Sequence, residues 1–155
     1  MKLIVIGKTK SKFLIEGENE YQKRLKNYCK FSELIIPNIK NGGKLSKKEL
    51  KAKEGNLILG SIKNSDYVIL LDDKGLALSS IGFAEFLNKK MVSSANELVF
   101  VVGGAFGFSE SVFKRANTKL SLSKMTFSHQ MVRMIFKEQL YRAFTILKGE
   151  KYHHD

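Results

Sequence analysis

Two stretches decide the fold: DYVILL at residues 66–71 and ELVFVV at residues 97–102. Each is a continuous apolar run of strand length, the pattern of a strand covered on both faces, as in a parallel sheet. The second run passes into Gly103-Gly104-Ala105-Phe106-Gly107 and then Ser109, which predicts a tight turn and a capped helix through Ala116. Working outward, Lys2 to Gly7 (KLIVIG) reads as another buried strand. The segment after it, with Phe13, Tyr21, Leu25 and Tyr28 among charged residues, reads as an amphipathic helix. Ser32 to Ile36 is strand-like and stops at Pro37, the only proline, before a flexible turn at Asn41-Gly42-Gly43. A second helix starts near Ser46, carries Lys47, Lys48, Lys51 and Lys53, and runs to Leu57, Ile58 and Ile62. Asp72-Asp73 and Gly75 are expected to end the strand at 66–71. Ser79 or Ser80 then caps a helix carrying Ile81, Phe83, Ala84, Phe86 and Leu87. Leu120 to Leu122 is expected as a last short strand, and Ser128 to Leu147 as a long final helix burying two faces. This alternation predicts the α/β class, one domain over residues 1–155 with a mainly parallel sheet of about five strands and helices on both faces.

Composition narrows the function classes. With 155 residues, 43% of them hydrophobic, the chain can build a conventional core. The opening KLIVIG is too short for the apolar region of a secretory signal, and the five-residue run Leu98 to Val102 falls far below the roughly 20 needed to span a bilayer. One cysteine, Cys29, and three histidines give no zinc spacing, so neither a disulfide nor a metal is expected, and the compartment is predicted to be the cytoplasm. The net charge is +12 and is uneven: residues 1–63 hold 15 Lys and Arg against 6 Asp and Glu, residues 64–155 hold 12 against 9. The amino-terminal half is therefore the expected polyanion surface, although 23 lysines to 4 arginines also suits a merely solvated surface.

In open α/β sheets ligands lie outside the carboxyl ends of strands, which points to the residues just after Leu71, Val102 and Leu122. Gly103 to Ser109 enters a helix from a strand, where bare backbone can approach a nucleotide. It matches neither GxGxxG nor GxxxxGK[ST], so dinucleotide and nucleoside-triphosphate readings lack their expected residues. Ser121 to Gln130 (SLSKMTFSHQ) fits neither a strand nor a helix period. Such irregular backbone can read an adenine edge, with Leu122, Met125 and Phe127 packing the ring. Arg133 and Arg142 stand out because arginine is scarce here and its fork suits phosphate or carboxylate; Glu138 and Arg142, four apart, also fit a surface pair. The ending GEKYHHD concentrates a phenol and two imidazoles, so His153 or His154 can move protons and Tyr152 can stack on a base.

YVILLD, LVFVVGGAFGFSESV and LSLSKMTFSHQMVRMIFKEQLYRAFTILKGEKYHH together closely resemble the RlmH (YbeA) family of SPOUT-class methyltransferases, and the likeness covers essentially the whole chain. The resemblance implies a trefoil knot in the carboxyl-terminal part, about 66–155. It further implies an obligate homodimer whose pockets are completed by the partner subunit. The implied reaction is S-adenosylmethionine-dependent methylation of pseudouridine at N3 in 23S ribosomal RNA of the assembled ribosome. Carried over by motif, the cofactor residues are Leu71, Gly103, Leu122, Ser123, Lys124, Met125, Thr126 and Phe127. The substrate-site candidates are His129 and Arg133, then Tyr141, Arg142 and Ala143, and finally Tyr152 and His153. Of these, His153 is expected to assist deprotonation, Tyr152 to stack on the base, and Arg142 to hold phosphate or developing negative charge. Two positions depart from the family pattern: Ser128 stands where proline is usual, and His154 where lysine or arginine is usual. Alternative readings are another SPOUT activity, such as ribose 2′-hydroxyl methylation, and a non-enzymatic ribosome-binding module.

Overall fold

The structure is a computed structural model that describes residues 1–93 and 96–153. The elements in chain order are β1 (Lys2–Ile6), α1 (Lys12–Leu25), β2 (Ser32–Ile36), α2 (Lys47–Leu59), β3 (Tyr67–Ala77), α3 (Ser80–Ser93), β4 (Leu98–Val102), α4 (Glu110–Arg115), β5 (Thr118–Ser121) and α5 (Met131–Leu147). The strands form one parallel sheet in the order β2-β1-β4-β3-β5.

The apolar runs are explained by burial on both faces. Leu3 and Val5 of β1, Ile69 and Leu71 of β3, and Phe100 and Val102 of β4 point to one side. There they pack with Leu25, Phe83, Leu87, Phe136, Leu140 and Phe144 from α1, α3 and α5. Their alternating neighbours Ile4, Ile6, Val68, Leu70, Val99 and Val101 point to the other side and meet Ile58 and Val112 from α2 and α4. No polar residue can alternate in such a strand without burial, so the sequence reads as solid hydrophobe. The helix starts follow their capping residues. Ser46 and Glu49 form a reciprocal capping box, Ser79 Oγ accepts from Gly82 N, and Ser109 Oγ accepts from Val112 N.

Three expectations need correction. Asp72-Asp73 does not end β3, which continues to Ala77 after an irregularity: Leu120 pairs with both Leu71 and Leu76, and the intervening residues loop out. The side chain of Asp72 closes this excursion by accepting from Lys74 N at 3.0 Å. Gly75 makes it possible, because an added Cβ would sit 2.6 Å from the carbonyl carbon of Leu120. The last strand begins earlier than expected, at Thr118, since Asn117 exchanges bonds with Val68 on both its backbone N–H and its side-chain oxygen; Leu122 falls in the loop beyond. Phe13 of α1 faces solvent, whereas Leu14 and Leu25 are buried.

Helix α5 lies against both α1 and α3 and carries two buried cations. The Arg133 guanidinium does not await a phosphate. Its Nη2 donates to the carbonyl of Ile6, and its Nη1 donates to that of Gly7 at 2.8 Å and to Thr9 Oγ1 at 3.2 Å. Lys137 is 1% exposed and donates to Glu18 at 2.8 Å and Glu33 at 3.1 Å. Removing the ammonium would leave two carboxylates facing each other in a largely dry site. Lys137→Ala is expected to lower unfolding free energy by roughly 3–5 kcal/mol, measured by chemical denaturation; a loss below about 1 kcal/mol would mean the trio is not a coupled buried network.

Candidate active site

The excursion of β3 after Leu71, the carboxyl end of β4 and the loop after β5 border one open cleft of 610 Å³, within the range of small-molecule sites. Leu71, Val102 and Gly103 form its inner wall, and Leu122, Ser123, Met125, Thr126 and Phe127 its other side. Phe106 and Phe113 add aromatic surface, with Lys47 over the ring of Phe106 at 5.4 Å. The loop Gly103 to Gly107 closes on itself through Gly107 N donating to the Gly104 carbonyl. The segment after β5 is irregular as expected: Ser121 Oγ donates to the Ser123 carbonyl, and Ser123 Oγ accepts from Met125 N.

Of the eight cofactor candidates, seven line this cleft; Lys124 is exposed on the same loop and is not among the lining residues. Asp72, Asp73 and Lys74, the residues just after Leu71, line it too, as do Lys51, Lys119 and Val132, which sequence reasoning had not placed there. The excursion in β3 is what brings Asp72 to Lys74 there, and only pairing partners, invisible in a single sequence, reveal it. Acidic and basic side chains thus share a cleft with several aromatic rings, a lining that suits a ligand carrying both charges and a flat ring.

His129 stands at the edge of the cleft, half-buried. Burial, with a smaller push from the Arg133 cation, holds its imidazole below the ordinary histidine value. Arg133 itself is excluded from any ligand by its grip on β1.

Arg142, Tyr152 and His153 gather elsewhere, at the far end of α5. Glu138 Oε1 accepts from Arg142 at 2.6 Å and 3.0 Å and from Tyr152 Oη at 3.2 Å. The Arg142 guanidinium lies over the Tyr152 ring at 4.7 Å, and its Nη1 is 3.4 Å from His153 Nδ1. Tyr141 packs edge-on to Tyr152, while Glu150 accepts from Tyr28. Burial and the neighbouring Tyr21 and Glu138 hold the Tyr152 phenol well above its ordinary value, so it remains a neutral donor. His154 lies outside the described residues. Val132 borders the cleft and Arg142 comes ten residues later, about 15 Å along the helix at 1.5 Å per residue. Cleft and tail cluster do not meet within one chain.

Among the described residues there is no group of three or more His, Cys, Asp or Glu able to hold a metal, and no helix long and apolar enough to cross a membrane.

The lowered His129 value sets a pH dependence. The folded state disfavours the imidazolium, so the unfolded chain binds the extra proton, and stability falls as pH drops below the ordinary histidine range of about 6.5. An NMR titration should give His129 a midpoint below that of a free histidine; a midpoint above it would contradict the burial of the ring.

Comparison with known proteins identifies a family. A family model described as "Predicted SPOUT methyltransferase" matches residues 1–153. A protein of Parabacteroides distasonis named ribosomal RNA large subunit methyltransferase H is 54% identical over 153 residues, 99% of this chain and 98% of its own. Proteins of the same name from Flavobacterium johnsoniae and Cytophaga hutchinsonii are 56% and 53% identical over 154 residues, covering 99% of this chain and 98% and 99% of theirs. Matched over almost its whole length by that model and by such relatives, the chain belongs to the SPOUT methyltransferase family.

Proposed function

We propose that this chain methylates pseudouridine at N3 in 23S ribosomal RNA of the assembled ribosome, using S-adenosylmethionine and working as a cytoplasmic homodimer. One observation carries the reading: a cleft at the strand ends combines aromatic surface, a side-chain-free turn and both signs of charge. The resemblance assigns its cofactor residues to that same cleft, and relatives more than 50% identical bear a ribosomal RNA methyltransferase name. The domain is read as residues 1–155, with the knotted part at about 66–155.

Bound there, S-adenosylmethionine supplies an electrophilic methyl group on a sulfonium. Leu71, Gly103, Leu122, Ser123, Met125, Thr126 and Phe127 would hold it, with Lys124 on the outer side of the same loop. Asp72 and Asp73 suit its cationic centres, and Lys51, Lys74 and Lys119 its carboxylate. Methyl transfer is an in-line displacement, so the protein has to fix donor and acceptor at near-attack distance and take up the proton of the acceptor nitrogen.

The tail cluster would do the second part. Arg142, fixed by Glu138, offers charge to phosphate or to the anionic ring; Tyr152 offers a face for stacking; His153 assists deprotonation. His129, kept neutral by burial, borders the cleft and is a further proton acceptor. Because cleft and tail lie apart on α5, a second copy of the chain is the natural supplier of the tail.

Labelled methyl from S-adenosylmethionine should enter ribosomes lacking the modification, at N3 of a pseudouridine, and not isolated subunits. Methyl on a ribose hydroxyl would replace this reading with the related SPOUT chemistry, and no transfer to any ribosomal substrate would overturn it. His153→Ala should reduce kcat by roughly 10²–10⁴-fold while calorimetric affinity for S-adenosylmethionine is unchanged; unaltered turnover would remove His153 from the mechanism.

A further inference from the structure

A second cavity, of 360 Å³, lies beside the cofactor cleft and shares Gly104, Ala105 and His129 with it. Its walls are apolar at Ile6, Ile39 and Leu50, its rim carries the exposed Lys8 and Lys10, and Glu54 lies in its inner wall. Glu54 is 7% exposed, and its Oε2 is sealed from solvent without a hydrogen-bond partner. The carboxylate lies so close to the cofactor loop that a Cβ on Gly104 would be 2.5 Å from Oε2. Burial holds this carboxyl above the usual carboxylate range. Buried acceptors without a donor are rare in folded proteins, because the lost hydration is not replaced.

The chemistry of the cavity selects its occupant. An unpartnered acceptor oxygen in the inner wall has nothing to offer a phosphate but welcomes an N–H donor, and aliphatic walls suit the faces of a flat ring. Lysines at the rim suit phosphate there, not deeper. The wall that carries them is held from α5: Lys10 N donates to Gln130 Oε1 at 2.7 Å, and Arg133 grips Gly7.

Resting on the reading of RNA as the substrate, we infer that this cavity is a nucleotide subsite. The base enters with a ring N–H directed at the Glu54 carboxylate, and its phosphate stays on Lys8 and Lys10. Rotation of the terminal carboxylate torsion, which is soft, presents an oxygen to the incoming donor. The shared wall at Gly104 and Ala105 puts this nucleotide next to the methyl donor, as the acceptor base or its neighbour in the strand must be.

The test is an NMR titration of the full-length protein, saturated with S-adenosylhomocysteine, using uridine 5′-monophosphate and its N3-methyl analogue, which lacks the ring N–H. Uridine monophosphate should shift the amides of Lys8, Lys10, Gly42 and Gly43, and the analogue should bind about tenfold more weakly. Glu54→Met should fold with undiminished Tm, since it removes an unpartnered carboxylate, and should weaken uridine monophosphate about tenfold. Equal binding of the two nucleotides, shifts confined to residues 122–127, or full nucleotide affinity in Glu54→Met would each overturn the inference. So would a Glu54→Met variant whose only defect is weaker S-adenosylmethionine binding, which would assign the carboxylate to the cofactor. The titration needs no methyl transfer, so a wild-type protein that fails to methylate ribosomes leaves its outcome readable, and a failed titration leaves the methylation reading intact.

Discussion

The grip of Arg133 on the carboxyl end of β1 is the contact on which the rest of the molecule depends. A guanidinium 1% exposed is costly to bury, and here the carbonyls of Ile6 and Gly7 and the hydroxyl of Thr9 satisfy its two terminal nitrogens while Nε is left without a partner. The chain of bonds continues: Thr9 donates to Glu18, Glu18 accepts from Lys137, and Lys137 donates to Glu33 of β2. Helix α5 is therefore fixed in rotation and height against β1, β2 and α1 by directional bonds as well as by apolar packing. Its first turn consequently stands at the cleft, with Val132 and His129 at its border, and its last turns stand where the tail cluster forms.

That placement sets the cleft and the tail cluster apart on one helix, and on the proposed reading each is half of a site. The cleft has rings, a bare turn and charge, with the imidazole of His129 at its border. The tail cluster has an arginine, a phenol and an imidazole gathered around Glu138, away from the cleft. On the proposed reading, separation on one helix is what makes a second copy chemically useful. The Arg142–Tyr152–Glu138 contacts also give the tail a defined conformation in the single chain, so ordering it at a partner's cleft costs less entropy than ordering a free terminus would.

Much of this was legible in the sequence, for identifiable reasons. Solid apolar runs at 66–71 and 97–102 can only be strands covered on both faces, and Ser46, Ser79 and Ser109 sit at the helix starts that their hydroxyls predict. The residues after Leu71, Val102 and Leu122, singled out because parallel sheets bind ligands beyond their strands, do border one cleft, although Leu71 lies inside β3 and Leu122 beyond β5. What was not legible depends on partners distant in the chain. The extension of β3 to Ala77 needs β5 beside it and Gly75 against Leu120. Arg133 reads as a phosphate ligand until the β1 carbonyls it occupies are known, and Glu54 reads as one more surface charge in a lysine-rich helix until Gly104 is found against it.

Subunit mixing tests most directly the central claim, that cleft and tail from two copies make one site. One subunit carries Tyr152→Ala and His153→Ala with an intact cleft; the other carries Gly103→Trp, which fills the cleft, with an intact tail. Each alone should be inactive on ribosomes, and the account predicts that mixing them after dissociation restores methyl transfer, because one cleft then meets the other subunit's intact tail. If the mixed dimer forms, as mass spectrometry can establish, and remains inactive, tail and cleft do not work across the two copies and the account is wrong.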